Sequence, residues 1–173
     1  GGGYSSRLNQ EIRIKRGLSY GAGSGFSWRK ASSNFGARTQ TKNESAAEVA
    51  ELVLAEIRKM TETAVSEKEL NPRKLVVTGD FGRDLETTGG LAGAISDVYS
   101  YSLSTDELNS FMPSVQAVTA EQIRKFSSDF LKGGDIIIVG DYKVFKDDLA
   151  KRFPNVKLQV IKAEGLNLNN LAK

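Results

Sequence analysis

The residues with the clearest chemical potential lie in a short segment, residues 12–26, with the sequence IRIKRGLSYGAGSGF. Arg13 falls in the last turn of a predicted helix, and Tyr20 opens the strand that follows it. Gly17 fits the left-handed position that ends a helix, so a tight turn there directs both side chains into one cleft. Guanidinium and phenol groups donate hydrogen bonds, and such donors hold a peptide carbonyl or the oxyanion of a tetrahedral intermediate.

The same segment could also bind a nucleotide, bind nucleic acid or serve only the structure. Its glycines lie inside a strand that follows a helix, whereas a dinucleotide-binding fingerprint places them between a strand and the next helix, so nucleotide binding is disfavoured. A purely structural role lets Gly21, Gly23 and Gly25 bring another backbone close to one sheet face. Arg13 then only complements the helix dipole, and Tyr20 only packs in the core. A nucleic-acid surface would instead use the local basic and aromatic residues Arg13, Lys15, Arg16, Tyr20, Trp28, Arg29 and Lys30.

The composition excludes several kinds of enzyme for this chain alone. Its 173 residues include neither histidine nor cysteine. Zinc sites rely on these side chains together with carboxylates, and the common serine and cysteine triads need an imidazole base. The chain is therefore predicted to be inactive by itself, with no metal site and no cofactor of its own. Its formal charge of +3 does not indicate a nucleic-acid partner, and no apolar run is long enough for a membrane span.

The elements around the segment predict an α+β fold, with a mixed, largely antiparallel sheet covered by helices on one face. Strands are predicted at residues 19–30 and 35–41, which form a hairpin, and at 135–141 and 156–162. Helices are predicted at residues 6–16, 44–62 and 144–153, and after the capping boxes at 66–69, 104–107 and 119–122. Four strands leave an unpartnered edge, so we expect N-terminal strands of the domain to be missing. Residues 1–163 are assigned to one domain and residues 164–173 to a C-terminal tail.

Several stretches resemble the pitrilysin/insulinase metallopeptidases, the inverted-zinc-motif family that includes the mitochondrial processing peptidases. They are GGGYSSRLNQEIRIKRGLSYGAGSGF at residues 1–26, VSEKEL at 65–70, VTAEQIRKF at 118–126 and IIIVGD at 136–141, all in the family's order. Together they cover nearly the whole chain. The resemblance is to the second half of a non-catalytic, C-terminal-type domain of this family.

The resemblance implies a division of roles between two domains. In the family, one domain holds zinc through an H-x-x-E-H motif, and an opposing domain directs toward that site an arginine and, seven residues later, a tyrosine. Arg13 and Tyr20 have this spacing, which implies that they bind the substrate carbonyl. Arg16, beside the same turn, is the second candidate for substrate binding. The expected partners are an H-x-x-E-H-bearing catalytic domain or subunit, where zinc resides, and a peptide substrate.

Two further functions stay open beside the peptidase role. Some domains of the family serve as structural subunits, and in such a scaffold Arg13 and Tyr20 would be packing residues. A basic nucleic-acid-binding module is the third hypothesis, and it predicts binding that weakens steeply with salt. The compartment is left open between bacterial cytoplasm and periplasm, since relatives occupy both.

Overall fold

The computed structural model describes residues 1–165, in which one antiparallel hairpin is combined with a set of helices. This arrangement confirms the predicted α+β class. The strands are β1 (Ala22–Ser27) and β2 (Asn34–Thr39). The α-helices are α1 (Ala46–Glu62), α2 (Glu67–Leu85), α3 (Thr88–Ser100), α4 (Asp106–Ala117), α5 (Ala120–Phe130) and α6 (Tyr142–Arg152). The other helical elements are a π-helix at Asn9–Ile14 and 3-10 turns at Asn43–Ser45 and Ala163–Gly165.

A first hydrophobic core joins the N-terminal segment to the hairpin and to α1. Leu8, Ile12, Ala22 and Val49 are buried against one another, and Ile12 is completely buried. Burial of a side chain of this size is worth roughly 1.5–3 kcal/mol. This packing fixes the π-helix against the start of β1, and the turn between these two elements lies at the surface.

A second core joins the start of α1 to α6. Ala46 and Ala47 in the first turn of α1 pack against Phe145 and Leu149 of α6, and Ile138 covers their edge. Along its length α1 packs against α5 and α6, while α2 packs against α3 and α4. The helices therefore form a scaffold on which the hairpin and the π-helix are mounted.

The hairpin confirms the first two predicted strands. Its register pairs Ala22 with Thr39 and Ser27 with Asn34. Phe26 and Phe35 lie directly opposite each other, and their ring centres are 5.1 Å apart. This face of the hairpin continues onto α5, where Phe126 lies 5.8 Å from Phe26. Aromatic contacts of this kind stabilise the hairpin against the helical scaffold.

The two predicted C-terminal strands, at residues 135–141 and 156–162, are wrong. Neither segment is paired in a sheet within the described part of the chain, so the sheet there has two antiparallel strands rather than four. Apolar β-branched residues favour extended backbone, but a strand exists only when a neighbour accepts its ladder hydrogen bonds. Ile137 and Val139, which are 85% and 94% exposed, accordingly have no packing partner among the described residues, although Ile138 between them is anchored in the second core.

The first helix and two of the three capping boxes also differ from the prediction. Residues 9–14 form a π-helix instead of the middle of an α-helix over residues 6–16, and Gly17 ends the turn with φ +62° as predicted. The capping box at 119–122 forms, but the box at 104–107 does not, and no side chain caps α2 at Ser66. Glu69, which should close that box, instead receives two hydrogen bonds from Arg7, at 2.7 and 2.8 Å. Most of the predicted tail, residues 164–173, lies outside the described residues.

Candidate functional site

Three side chains meet at the turn between the π-helix and β1. The guanidinium carbon of Arg13 lies 4.8 Å from the ring centre of Tyr20 and 5.1 Å from that of Tyr4. Both distances are within the range of a cation–π interaction. We call Tyr4, Arg13 and Tyr20 the Arg13 clamp. The structure thus brings together the two residues singled out from the sequence and adds a third.

The tyrosines of the clamp are not part of the core. Tyr20 is 90% exposed and Tyr4 is 63% exposed, so their rings contribute little to burial. The purely structural expectation for Tyr20, a core ring with its hydroxyl on backbone, is therefore wrong. Arg13, by contrast, is half-buried. The alternative role for Arg13, a fully solvated partner of the helix dipole, does not match this burial.

Arg13 differs from the other arginines in how its guanidinium is satisfied. Within residues 1–165 no carboxylate, carbonyl or hydroxyl accepts a hydrogen bond from it. Six arginines do have such an acceptor: Arg7, Arg16, Arg73, Arg83, Arg124 and Arg152. The remaining arginines are exposed to water, namely Arg29, Arg38 and Arg58. No side-chain nitrogen among the described residues is both fully buried and without a partner, so the Arg13 donors are accessible to water or to an acceptor from outside the described chain.

Arg16 does not join the clamp. Its Nη1 donates to the backbone oxygen of Glu11 at 2.8 Å and to the Glu11 carboxylate at 2.7 Å. Hydrogen bonds from Lys15 and from Arg16 hold the pKa of the Glu11 carboxyl below its ordinary value. Of the two arginines considered from the sequence, Arg16 forms an internal ion pair with Glu11, whereas the Arg13 guanidinium is available to an external ligand.

One buried amide holds both tyrosine-bearing segments. The Asn9 side chain donates from Nδ2 to the backbone oxygen of Gly3 at 3.1 Å and accepts at Oδ1 from the backbone N–H of Ala22 at 2.9 Å. Gly3 directly precedes Tyr4, and Ala22 lies two residues after Tyr20. Asn9 itself begins the π-helix that contains Arg13. A single side chain therefore joins all three parts of the clamp.

Hydroxyl groups of the hairpin fix the backbone around Tyr20. Ser19 Oγ lies 2.7 Å from Thr39 Oγ1, and Thr39 Oγ1 donates to the backbone oxygen of Gly21 at 2.9 Å. Thr41 Oγ1 donates to the backbone oxygen of Leu18 at 2.6 Å. The backbone on both sides of Tyr20 is thus held in place while its side chain projects into solvent.

Helix α2 fixes the backbone around Tyr4 in a similar way. Arg73 donates to Ser5 Oγ at 2.8 Å and to the Ser5 backbone oxygen at 2.5 Å. Beside this contact lies a cavity of about 460 Å³ whose opposite charges pair with each other, as Arg7 does with Glu69. The Arg13 clamp does not line this cavity, which is a polar seam between helices.

The glycines of the strand and the remaining candidates for nucleic-acid binding lie outside the Arg13 clamp. A Cβ added to Gly23 would lie 3.6 Å from the backbone oxygen of Gly1, whereas one added to Gly25 would meet nothing. At Gly21 the nearest atom belongs to the Asn9 side chain, at 3.8 Å, so of the three glycines only Gly23 has another backbone beside it, and at an ordinary van der Waals distance. Trp28 stacks on Phe26 at 5.0 Å, in an aromatic cluster separate from the clamp, and Lys30 donates to Ser102 at 2.8 Å.

Comparison with known proteins shows what the chain is similar to. Residues 1–74 match the family described as the peptidase M16 inactive domain. A solved structure of a peptidase M16 inactive domain from Pseudomonas fluorescens shares 29% sequence identity, with a TM-score of 0.69 over 76% of this chain and 31% of that one. The N-terminal part of the chain is thus similar in sequence to a peptidase M16 inactive domain, and most of the chain is similar to one in fold. The resemblance to a non-catalytic, C-terminal-type domain, stated from the sequence, is confirmed.

A second solved structure has the same fold. A protease from Helicobacter pylori is 20% identical, with a TM-score of 0.70 over 76% of this chain and 32% of that one. At this identity the likeness shows the fold alone. The chain spans about a third of the length of both solved structures. No curated protein sequence matches it.

The described part of the chain offers no group of side chains suited to a metal. Across residues 1–165, no three acidic, histidine or cysteine side chains converge as ligands would. This agrees with the chemistry of the available donors, since the full sequence lacks histidine and cysteine. None of the helices in the same range has the length and apolar character needed to cross a bilayer.

Proposed function

We propose that this non-catalytic M16 domain closes the chamber of a zinc peptidase and binds the substrate peptide through Arg13 and Tyr20. Zinc would be held by a partner domain or subunit bearing H-x-x-E-H. The guanidinium and the phenol would donate hydrogen bonds to a substrate carbonyl, and to the oxyanion that develops from it. The proposal gives this chain a binding and positioning role and assigns no bond-breaking step to it.

The observation that carries this proposal is that the Arg13 guanidinium is not engaged by any acceptor of the described chain and stays accessible. It is half-buried, lies over two aromatic rings and has no acceptor within residues 1–165. The neighbouring Tyr20 places a second donor at the surface, with its backbone fixed by the hairpin. Donors that are fixed before substrate arrives stabilise developing charge without reorganising during the reaction.

Reconstitution tests the division of roles. Cleavage of a quenched fluorescent peptide would be measured, with zinc present, for this chain, for an H-x-x-E-H-bearing M16 protein and for their mixture. We expect activity only, or mainly, in the mixture. If the two proteins bind each other without any gain in cleavage, the proposed function is refuted and a structural scaffold role is favoured.

Substitutions in the active mixture test the assigned residues. Tyr20→Phe removes only the hydroxyl donor, and Arg13→Ala removes the guanidinium; each is expected to lower kcat by roughly 10²–10³, the cost of losing one oxyanion donor. Tyr99→Phe and Arg58→Ala are matched controls, since both residues are exposed on helices away from the turn. Unchanged turnover in Tyr20→Phe would show that Tyr20 does not have this role.

A further inference from the structure

We propose that the Arg13 clamp recognises a carboxylate of the bound peptide and that Tyr4 positions the guanidinium for this contact. The inference rests on the proposed function, because it assumes that peptide is bound at Arg13. It goes further in naming a third residue and a chemical class of substrate, namely acidic peptides.

The Arg13 guanidinium is oriented by aromatic rings rather than by hydrogen bonds. No hydrogen bond fixes it within residues 1–165, so its contacts with Tyr4 and Tyr20 are what restrict it. A flexible arginine loses conformational freedom on binding, and orienting it beforehand reduces that loss. Tyr4 lies 5.1 Å from the guanidinium carbon and is thus placed to supply part of this restriction.

Tyr4 itself combines a fixed backbone with an exposed ring. Its backbone is held on both sides, because Asn9 bonds to the Gly3 oxygen and Arg73 bonds to Ser5. Its ring is nevertheless largely exposed and absent from both hydrophobic cores. A fixed backbone that presents an exposed ring to a cation is expected of a positioning residue, and packing of the core does not account for it.

The charge of Arg13 is not compensated by its neighbours. The nearby carboxylate of Glu11 pairs with both Lys15 and Arg16, so it does not neutralise Arg13. The segment therefore contains three cations and one anion. A guanidinium has five N–H donors, so one edge can donate two parallel hydrogen bonds to a carboxylate, which also offsets its charge, while another N–H is left for the substrate carbonyl. Acidic peptides fit this site better than neutral ones.

The test compares two fluorescein-labelled decapeptides of alternating sequence, Ala-Glu and Ala-Gln, which differ only in the charged group. Their dissociation constants for the chain would be measured by fluorescence anisotropy at fixed low salt. We expect the Ala-Glu peptide to bind about tenfold more tightly. Arg13→Gln should abolish the preference, whereas Arg58→Gln, which removes the same charge from an exposed helix position, should retain it.

Substitutions at Tyr4 separate positioning from folding. Tyr4→Leu should reduce the preference for Ala-Glu to threefold or less, and Tyr4→Phe should restore it, because the ring rather than the hydroxyl contacts Arg13. In a parallel NMR measurement, the Arg13 side-chain protons should show a ring-current shift that persists in Tyr4→Phe and shrinks in Tyr4→Leu.

Several results would overturn the inference. They are equal affinity for the two peptides, no binding of either, and a full preference retained in Tyr4→Leu. Each of these leaves the proposed function to be judged by the reconstitution experiment, where Tyr20→Phe is tested on cleavage of a different peptide. A carboxylate preference with no effect of Tyr20→Phe on turnover would instead show an acidic-ligand site outside the peptidase role.

Discussion

Replacing Asn9 by alanine should loosen the whole Arg13 clamp, and the cost can be worked out from its hydrogen bonds. The side chain makes two of them, and Asn9 is only 8% exposed. Each lost bond costs about 1 kcal/mol, and the buried N–H of Ala22 is left without an acceptor, which adds about 1–3 kcal/mol. Gly3 is exposed, so water can replace the bond at its oxygen. The expected destabilisation is about 2–4 kcal/mol.

Thermal unfolding followed by circular dichroism measures this loss. For a chain of this size, each kcal/mol shifts Tm by about 2–4 °C, so a decrease of roughly 5–15 °C is expected. Asn109→Ala, at an exposed position of α4, is the control and should change stability by no more than about 0.5 kcal/mol.

Hydrogen exchange locates the effect at a single amide. The N–H of Ala22 should exchange faster in Asn9→Ala than in Asn109→Ala, because its acceptor is gone. Cleavage by the reconstituted pair should fall as well, since both tyrosine-bearing segments depend on Asn9. If the Ala22 amide is equally protected in both variants, Asn9 does not join the parts of the clamp.

Two further predictions concern α2 and the helix after it. The hydrogen bonds from Arg7 hold the pKa of the Glu69 carboxyl below its ordinary value of 4.5, so this pair stabilises the fold fully above pH 4.5 and loses its contribution as pH falls below that value. The decrease in Tm between pH 6 and pH 3 should therefore be smaller in Glu69→Gln than in Glu67→Gln, and equal decreases would contradict this. Gly90→Ala should cost about 3 kcal/mol or more, because the new Cβ would clash with the backbone oxygen of Asp84. A Cβ at Gly89 meets nothing, so Gly89→Ala should stabilise α3 slightly, and similar melting temperatures of the two variants would refute the difference.

Much of the helical scaffold could be predicted from the sequence because its signals are local. The apolar stripe of α1 and the capping box at Thr119 depend on residues within one or two turns of each other. The end of the first turn at Gly17 has the same origin, since the left-handed conformation suits glycine. The proximity of Arg13 and Tyr20 is likewise predictable, because this turn fixes their relative positions.

The C-terminal strands could not be predicted correctly because a strand depends on a neighbour. The apolar run at residues 135–141 has the composition of a buried strand, and residues 156–160 have apolar residues at alternating positions. Neither property specifies which segment lies alongside. Pairing is a long-range property, and hydrophobic patterns do not reveal it.

Tyr4 and Asn9 could not be identified from the sequence because nothing in their local surroundings distinguishes them. Tyr4 follows three glycines in a turn, where no periodicity identifies a functional side chain. The role of Asn9 depends on Ala22, thirteen residues away, through a bond made only after the hairpin folds. Glu69 does not close the predicted box for the same reason, because Arg7 from a distant segment provides a stronger, charged donor.

The π-helix at Asn9–Ile14 makes the spacing between Asn9 and Arg13 unusually sensitive to insertions and deletions. Its hydrogen bonds span five residues, as in the bond from the N–H of Lys15 to the oxygen of Gln10, so the turn contains one residue more than an α-turn. Removing that residue would let the segment relax into ordinary α-helix, at little cost in backbone hydrogen bonds. It would also rotate Asn9 by about 100° around the helix axis relative to Arg13. A chain shortened by one residue here could keep its helix and still lose the alignment of the clamp.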